Sequence, residues 1–82
     1  MTNNNTPVNL AAGTGNRWTT PTGQVAGFEA TTPAWGVMNA DGMLLTRDGH
    51  TPSVWATKAI VTEHIAPNAD GFAEHTFSLP LA

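Results

Sequence analysis

Three histidines, each close to an acid, are the residues of this chain best equipped for chemistry. Asp48 precedes His50 by two positions, and Glu63-His64 and Glu74-His75 are adjacent pairs eleven residues apart. Imidazole nitrogens and carboxylate oxygens are ordinary zinc ligands, so a site drawn from His50, His64 and His75 is the first to weigh. On strands it works badly. Neighbours such as Glu63 and His64 point to opposite faces, so each pair supplies one ligand to a given site. The spacing of the three histidines matches no known ligand arrangement. Solvated polar positions are the expectation, with neither metal nor cofactor.

Other chemistries fail on single missing residues. Asn39-Ala40-Asp41-Gly42 and Asn68-Ala69-Asp70-Gly71 look like part of a calcium loop, but the first ligand would fall on Val37 and on Ala66. Gly13-Thr14-Gly15 has no third glycine and no strand before it, so it is not a dinucleotide fingerprint. There is no Gly-Lys-Ser/Thr phosphate loop, and no serine sits in a Gly-x-Ser-x-Gly elbow. With six acids and three basic residues, two carboxylates tuned against each other are hard to assemble. The chain is therefore not expected to be an enzyme. Three tryptophans remain: Trp18, Trp35 and Trp55. Indoles are frequent in cores and at the centres of interfaces. Trp18, among Asn16, Arg17, Thr19 and Thr20, is the best candidate for a partner contact. Stacking on sugars is the other use of an exposed indole.

The elements that would have to position these residues are short. Trp35 to Arg47 carries two apolar runs around Asn39-Ala40-Asp41-Gly42, and Asp-Gly between apolar runs is a strong hairpin signal. Gly42 supplies the positive φ, and Asp41 is expected to bond to its own backbone. Apolar residues are consecutive on both arms (Val37-Met38 and Met43-Leu44-Leu45), so both faces of the hairpin should be covered. Gln24 to Ala30 reads as a short strand with a bulge at Gly27. Thr51-Pro52 has the form of a helix start, yet Val54, Thr57, Ile60, Val61, Thr62 and Ile65 are β-branched. Strand is the expectation for residues 56–65, and a closing strand is expected over residues 72–79. The second Asn-Ala-Asp-Gly reads as a repeat of the first turn, giving a meander with turns near residues 41, 49 and 70.

Residues 1–24 differ from the rest. Pro7, Gly13, Gly15, Pro21 and Gly23 interrupt them too often for a long element, and their apolar residues are few: Val8, Leu10, Ala11, Ala12 and Trp18 beyond the initial Met1. Such a stretch offsets little of its own ordering entropy, about 1–2 kcal/mol per residue. The expected organisation is an extended N-terminal arm (1–24) ahead of a small β domain (25–82). Removal of residues 2–20 should then leave the body intact.

Composition narrows the function. Eighty-two residues make at most one domain, and the chain has no cysteine to staple it. Charged residues are 11%, against roughly 25% in typical soluble domains. A surface built from Thr, Asn, Ser and Gln is cheap to bury against a neighbour. Three basic residues and a net charge of -3 argue against nucleic acid and against an electrostatic membrane anchor. No run approaches the about 20 apolar residues of a membrane span, and no signal peptide is visible.

With its Asn/Thr/Pro/Gly-rich leading segment, charge-poor β body, Asp-Gly turns and lack of cysteine, the chain resembles the small head-decoration, or cement, proteins of tailed bacteriophages. The resemblance implies an all-β fold, antiparallel and meander- or barrel-like, carrying an extended arm. It implies a structural virion protein on the capsid exterior, made in the host cytoplasm, whose partners are the major capsid protein, other virion subunits and its own copies, often as trimers. Val8, Leu10 and Trp18 would then be the partner-binding residues, adding a strand to an open edge and filling pockets beside it. A tail or fibre subunit, and a small carbohydrate- or peptide-binding module, are the alternatives.

Overall fold

The Asn39–Gly42 turn forms where its sequence demands one. In a computed structural model of the chain, which describes residues 5–71 and 74–82, the Gly42 N–H donates to Asn39 O (3.1 Å) and the Asn39 N–H donates to Met43 O (3.0 Å). Gly42 has φ +79°, the left-handed value that closes this turn into a hairpin. The side chain bracing it belongs to Asn39 and not to Asp41: Asn39 Oδ1 accepts from the Asp41 and Met43 N–H groups, both at 3.0 Å.

Around this hairpin the chain is mostly strand. The strands are β1 (Thr6–Asn9), β2 (Trp18–Thr19), β3 (Val25–Ala26), β4 (Trp35–Met38), β5 (Met43–Thr46) and β6 (Thr76–Pro80), with one short helix, α1 (Lys58–Ile60), before β6. A four-stranded antiparallel sheet runs β1-β4-β5-β6, and β2-β3 form a separate antiparallel pair. Single bridges, Trp18 with Leu81 and Ala11 with Phe28, join the two sheets. Isolated bridges in place of full ladders leave the barrel unclosed.

Alternation along the strands sorts the core into two. Val37, Leu45, Val61, Ile65, Ala66 and Ala69 pack together on one face, with Trp35, Trp55 and Phe77 beside them. Leu10, Trp18, Ala34, Leu44 and Leu79 pack on the other, joined by Val8, Phe28, Met38 and Leu81. Leu44 pairs with Leu79 and Leu45 with Phe77, so a bulge takes up Ser78. Ser78 is not idle: its hydroxyl lies 2.6 Å from that of Thr46, a buried polar side chain that also accepts from the Gly49 N–H at 3.1 Å. Thr46 is satisfied as buried hydroxyls must be.

The leading quarter is part of this body. β1 pairs with β4 from Thr6–Met38 to Asn9–Trp35, and the Leu10 N–H donates to Ala34 O at 2.7 Å. Leu10 is 0% exposed and Trp18 5%, with the Trp18 and Phe28 rings 4.9 Å apart. The Cα radius of gyration, 11.7 Å, matches the roughly 12 Å of a compact chain this long, and among the described residues the leading segment lies against the body. Only residues 1–4 of the expected arm lie outside the described residues. The sparse apolar residues of this segment find their burial in the second core, a gain that its local composition could not show.

From Lys58 to Ile65 the chain is helical, against the expectation of strand over residues 56–65. Thr57, with extended backbone angles, caps α1 by accepting from the Ile60 N–H at 3.3 Å. The helical path continues through Val61–Ile65 in a wider turn and Ala66–Gly71 in a tighter 3-10 turn. Val61, Ile65 and Ala69, four residues apart, are buried on the sheet, so helical periodicity outweighs β-branching here. Pro67 has no N–H to donate and its ring crowds the carbonyl four residues back, which accounts for the wide turn before it. This path also overturns the expected turn near residue 70. Asn68–Gly71 ends a helical segment, with Ala69 in the core, whereas the same tetrapeptide at 39–42 is a hairpin turn. Gly27 ends β3 in place of bulging it; a Cβ there would lie 2.8 Å from Arg17 Cδ. The closing strand is β6; Phe72 and Ala73 are outside the described residues.

The β1–β4 side of the core carries three stability predictions. Leu10→Ala removes a fully buried side chain and should cost about 2–5 kcal/mol in urea unfolding. Gly36→Ala would place a Cβ 2.8 Å from Leu10 Cδ1 and 3.3 Å from Ser53 O, costing about 1–3 kcal/mol by the same measurement. Deleting residues 2–20 should abolish the cooperative transition, contrary to what an independent arm would give.

Candidate functional site

The hairpin strands β4 and β5 pair at Met38–Leu44 and then part, and residues 52–55 run between them. The Ser53 N–H donates to Leu45 O (2.9 Å) on one side. On the other, Trp35 and Trp55 exchange N–H to O bonds of 2.9 and 2.8 Å. A tight loop makes this insertion feasible. Asp48 Oδ1 accepts from the His50 N–H (2.8 Å) and the Thr51 N–H (2.9 Å), and Gly49 turns the chain at φ +80°. Those two backbone N–H groups hold the Asp48 carboxyl below its usual range, since they favour the charged form.

This loop, the inserted segment and the residue before β6 enclose an open cavity of about 540 Å³, with Ile65 of the helical segment at its base. Trp55 and His75 line it. Their rings lie 6.3 Å apart and 24° from parallel, and His75 Nδ1 is 2.9 Å from Ser53 Oγ. Arg47 and Asp48 stand at its rim, where Arg47 Nη2 meets Glu74 Oε2 at 2.9 Å across exposed surface.

A serine beside a histidine invites comparison with a nucleophile and its base. Here the nitrogen facing Ser53 is Nδ1, the one a Ser-His-Asp triad gives to its acid, and the Ser53 N–H is committed to Leu45 O. The pair ties the inserted segment to the residue before β6. That is a positioning task, and it fixes the wall of the cavity.

The expected site residues are dispersed. His50 is exposed on the loop. His64 is exposed on the helical segment, with Nε2 3.9 Å from Glu63 Oε2, a solvent-screened contact. His75 is half-buried. Glu74 and His75 part company, one to Arg47 and the other to Ser53. Among the described residues no three His, Asp or Glu side chains gather where they could hold a metal. Of the three residues expected to meet a partner, Leu10 and Trp18 are committed to the chain's own core and Val8 packs half-buried beside them. The sequence neighbours of Trp18 are polar, but Phe28 and Leu81 reach it from elsewhere in the chain. Trp55 is the tryptophan that lines a cavity. No local signal marked it, because its companions Ser53 and His75 are 22 residues apart in sequence.

The fold defined by these elements is a sheet-dominated antiparallel β protein with one short helix. Comparison of the chain with protein families, with curated proteins and with solved structures finds no match. Among the described residues no helix is long and apolar enough to cross a membrane.

The Asp48 turn carries a pH prediction. A carboxyl whose folded pKa lies below its unfolded 3.8 stabilises the fold above that pH. The stabilisation fades as pH falls from there through the folded value. Carbon-detected NMR should show the Asp48 carboxyl titrating below the ordinary value of 3.8. Asp48→Asn should remove this part of the acid sensitivity while keeping the turn, because an amide oxygen still accepts both bonds.

Proposed function

We propose that the protein is a non-catalytic structural component of a virion, a decoration or cement protein that binds the outside of a tailed-phage head. The observation carrying this reading is a compact body with an almost uncharged exterior. Nine charged residues in 82 leave a surface of neutral polar groups, which costs little to desolvate against a large partner. The resemblance in composition to phage cement proteins points the same way.

The attachment surface belongs to the body, since β1, Leu10 and Trp18 are spent on its own sheet and core. The β2–β3 hairpin is the best placed part. Its tip, residues 20–24, carries no charge, and Val25 beside it is 63% exposed. An exposed apolar residue at the end of a tip made of Thr20, Thr22 and Gln24 suits a small interface centre with a polar rim. Copies of the chain associating on the shell, and capsid subunits beneath them, are the partners this surface suits.

Sedimentation with purified phage heads stripped of their decoration layer tests the reading, with light scattering to size the free chain. Binding that saturates at symmetry-related positions is the expected result. Val25→Glu should fold normally and bind about tenfold or more weakly, the effect of a buried unpaired charge. A chain that remains monomeric and stays in the supernatant while the shells pellet would rule the proposal out.

A further inference from the structure

We propose that the cavity beside Trp55 and His75 binds a neutral saccharide, a property separate from attachment through the β2–β3 hairpin. Its size, about 540 Å³, falls within the roughly 300–1,000 Å³ of small-ligand sites. The lining has two parts of different chemistry. Trp55, Pro52 and Ile65 give an apolar wall, with the His75 ring lying nearly parallel to the indole. The polar part of the lining comes from Asp48, Thr51 and Ser53.

Charge selects among ligands. Asp48 brings one negative charge and Arg47 one positive charge to the same rim, and Glu74 already engages the guanidinium. A phosphate or carboxylate would meet Asp48 with only a shared cation to offset it. An ammonium would be drawn to Asp48 but would meet Arg47 on the same lining. A neutral ligand encounters neither penalty.

Hydrogen-bonding capacity narrows the choice further. Asp48 Oδ1 is filled by two backbone N–H groups, while Oδ2 takes part in neither bond and remains an acceptor. The Thr51 hydroxyl both donates and accepts, and the Ser53 hydroxyl, bonded to His75 Nδ1, offers its remaining lone pair. The complementary ligand has a flat C–H face for the indole and an edge of hydroxyls that act in both senses. A pyranose ring has that form. Its contact with the indole is dispersion and hydrophobic burial, and its hydroxyls replace the water that the polar wall holds otherwise.

The experiment is a titration of the nitrogen-15-labelled full chain with the methyl glycosides of glucose, galactose, mannose and N-acetylglucosamine, and with maltose and lactose. Inorganic phosphate and tetramethylammonium serve as charged probes. At least one sugar should give saturable shifts at the Trp55 indole and the Thr51, Ser53 and His75 amides, with a Kd in about the millimolar range. Asp48→Asn and Ser53→Ala keep the backbone bonds of the loop and should weaken that sugar by about tenfold, the loss expected for a hydrogen bond to a charged or buried group. Trp55→Ala endangers the core it packs on, so Trp55→Phe, which narrows the wall, provides the aromatic variant. The proposal falls if no sugar shifts these signals up to about 50 mM, if a charged probe alone does so, or if the loop variants bind as well as the parent.

Discussion

A sheet with two apolar faces needs two covering layers, and every other element of this protein answers to that constraint. β4 and β5 present Val37 and Leu45 to one side, and Met38 and Leu44 to the other. A side chain of this size gains about 1.5–3 kcal/mol when fully buried, so leaving either face open would remove much of what holds a chain of this length together. The helical segment 58–71 covers one face. The leading segment, the β2–β3 hairpin and the chain end cover the other. Neither layer has enough apolar residues to form an element alone, and each is ordered by the face it covers.

The same constraint explains the cavity. β4 and β5 diverge beyond Met38–Leu44, and the backbone groups so exposed need partners. Residues 52–55 supply them through Leu45 and Trp35. Inserting a segment there requires the sharp loop at 47–51, and the loop stands away from the helical segment beneath it. The concave surface is therefore a by-product of satisfying backbone hydrogen bonds at a sheet that splays. Its chemistry, an indole and an imidazole together with hydroxyls and a carboxylate, is what the loop, the inserted segment and the residue before β6 happen to carry there.

The functional proposals draw on opposite properties of one molecule. Attachment to a shell relies on what the exterior lacks, namely charge. Saccharide binding relies on a local concentration of polar groups against an aromatic wall. They occupy different elements, the β2–β3 hairpin and the 47–55 loop, so the two surfaces can be altered independently.

The hairpin at 39–42 was legible because a turn is decided by four residues and their backbone preferences. The need for cover on both faces was legible too, from consecutive apolar residues on both strands. The other assignments depended on distant partners. Nothing within residues 5–24 reveals that Leu10 and Trp18 are core, because the surfaces burying them come from β4, β5 and β6. Residues 56–65 have strand-like composition, but the four-residue spacing of Val61, Ile65 and Ala69 matters only once a sheet lies beneath them. The Asn-Ala-Asp-Gly pair makes the point most directly: one copy is a hairpin turn and the other ends a helical segment. Local sequence determined where the chain could turn and which residues sought burial. The tertiary structure alone decided which surfaces met, because burial and backbone pairing between remote segments outweigh propensities worth a few tenths of a kcal/mol to about one per residue.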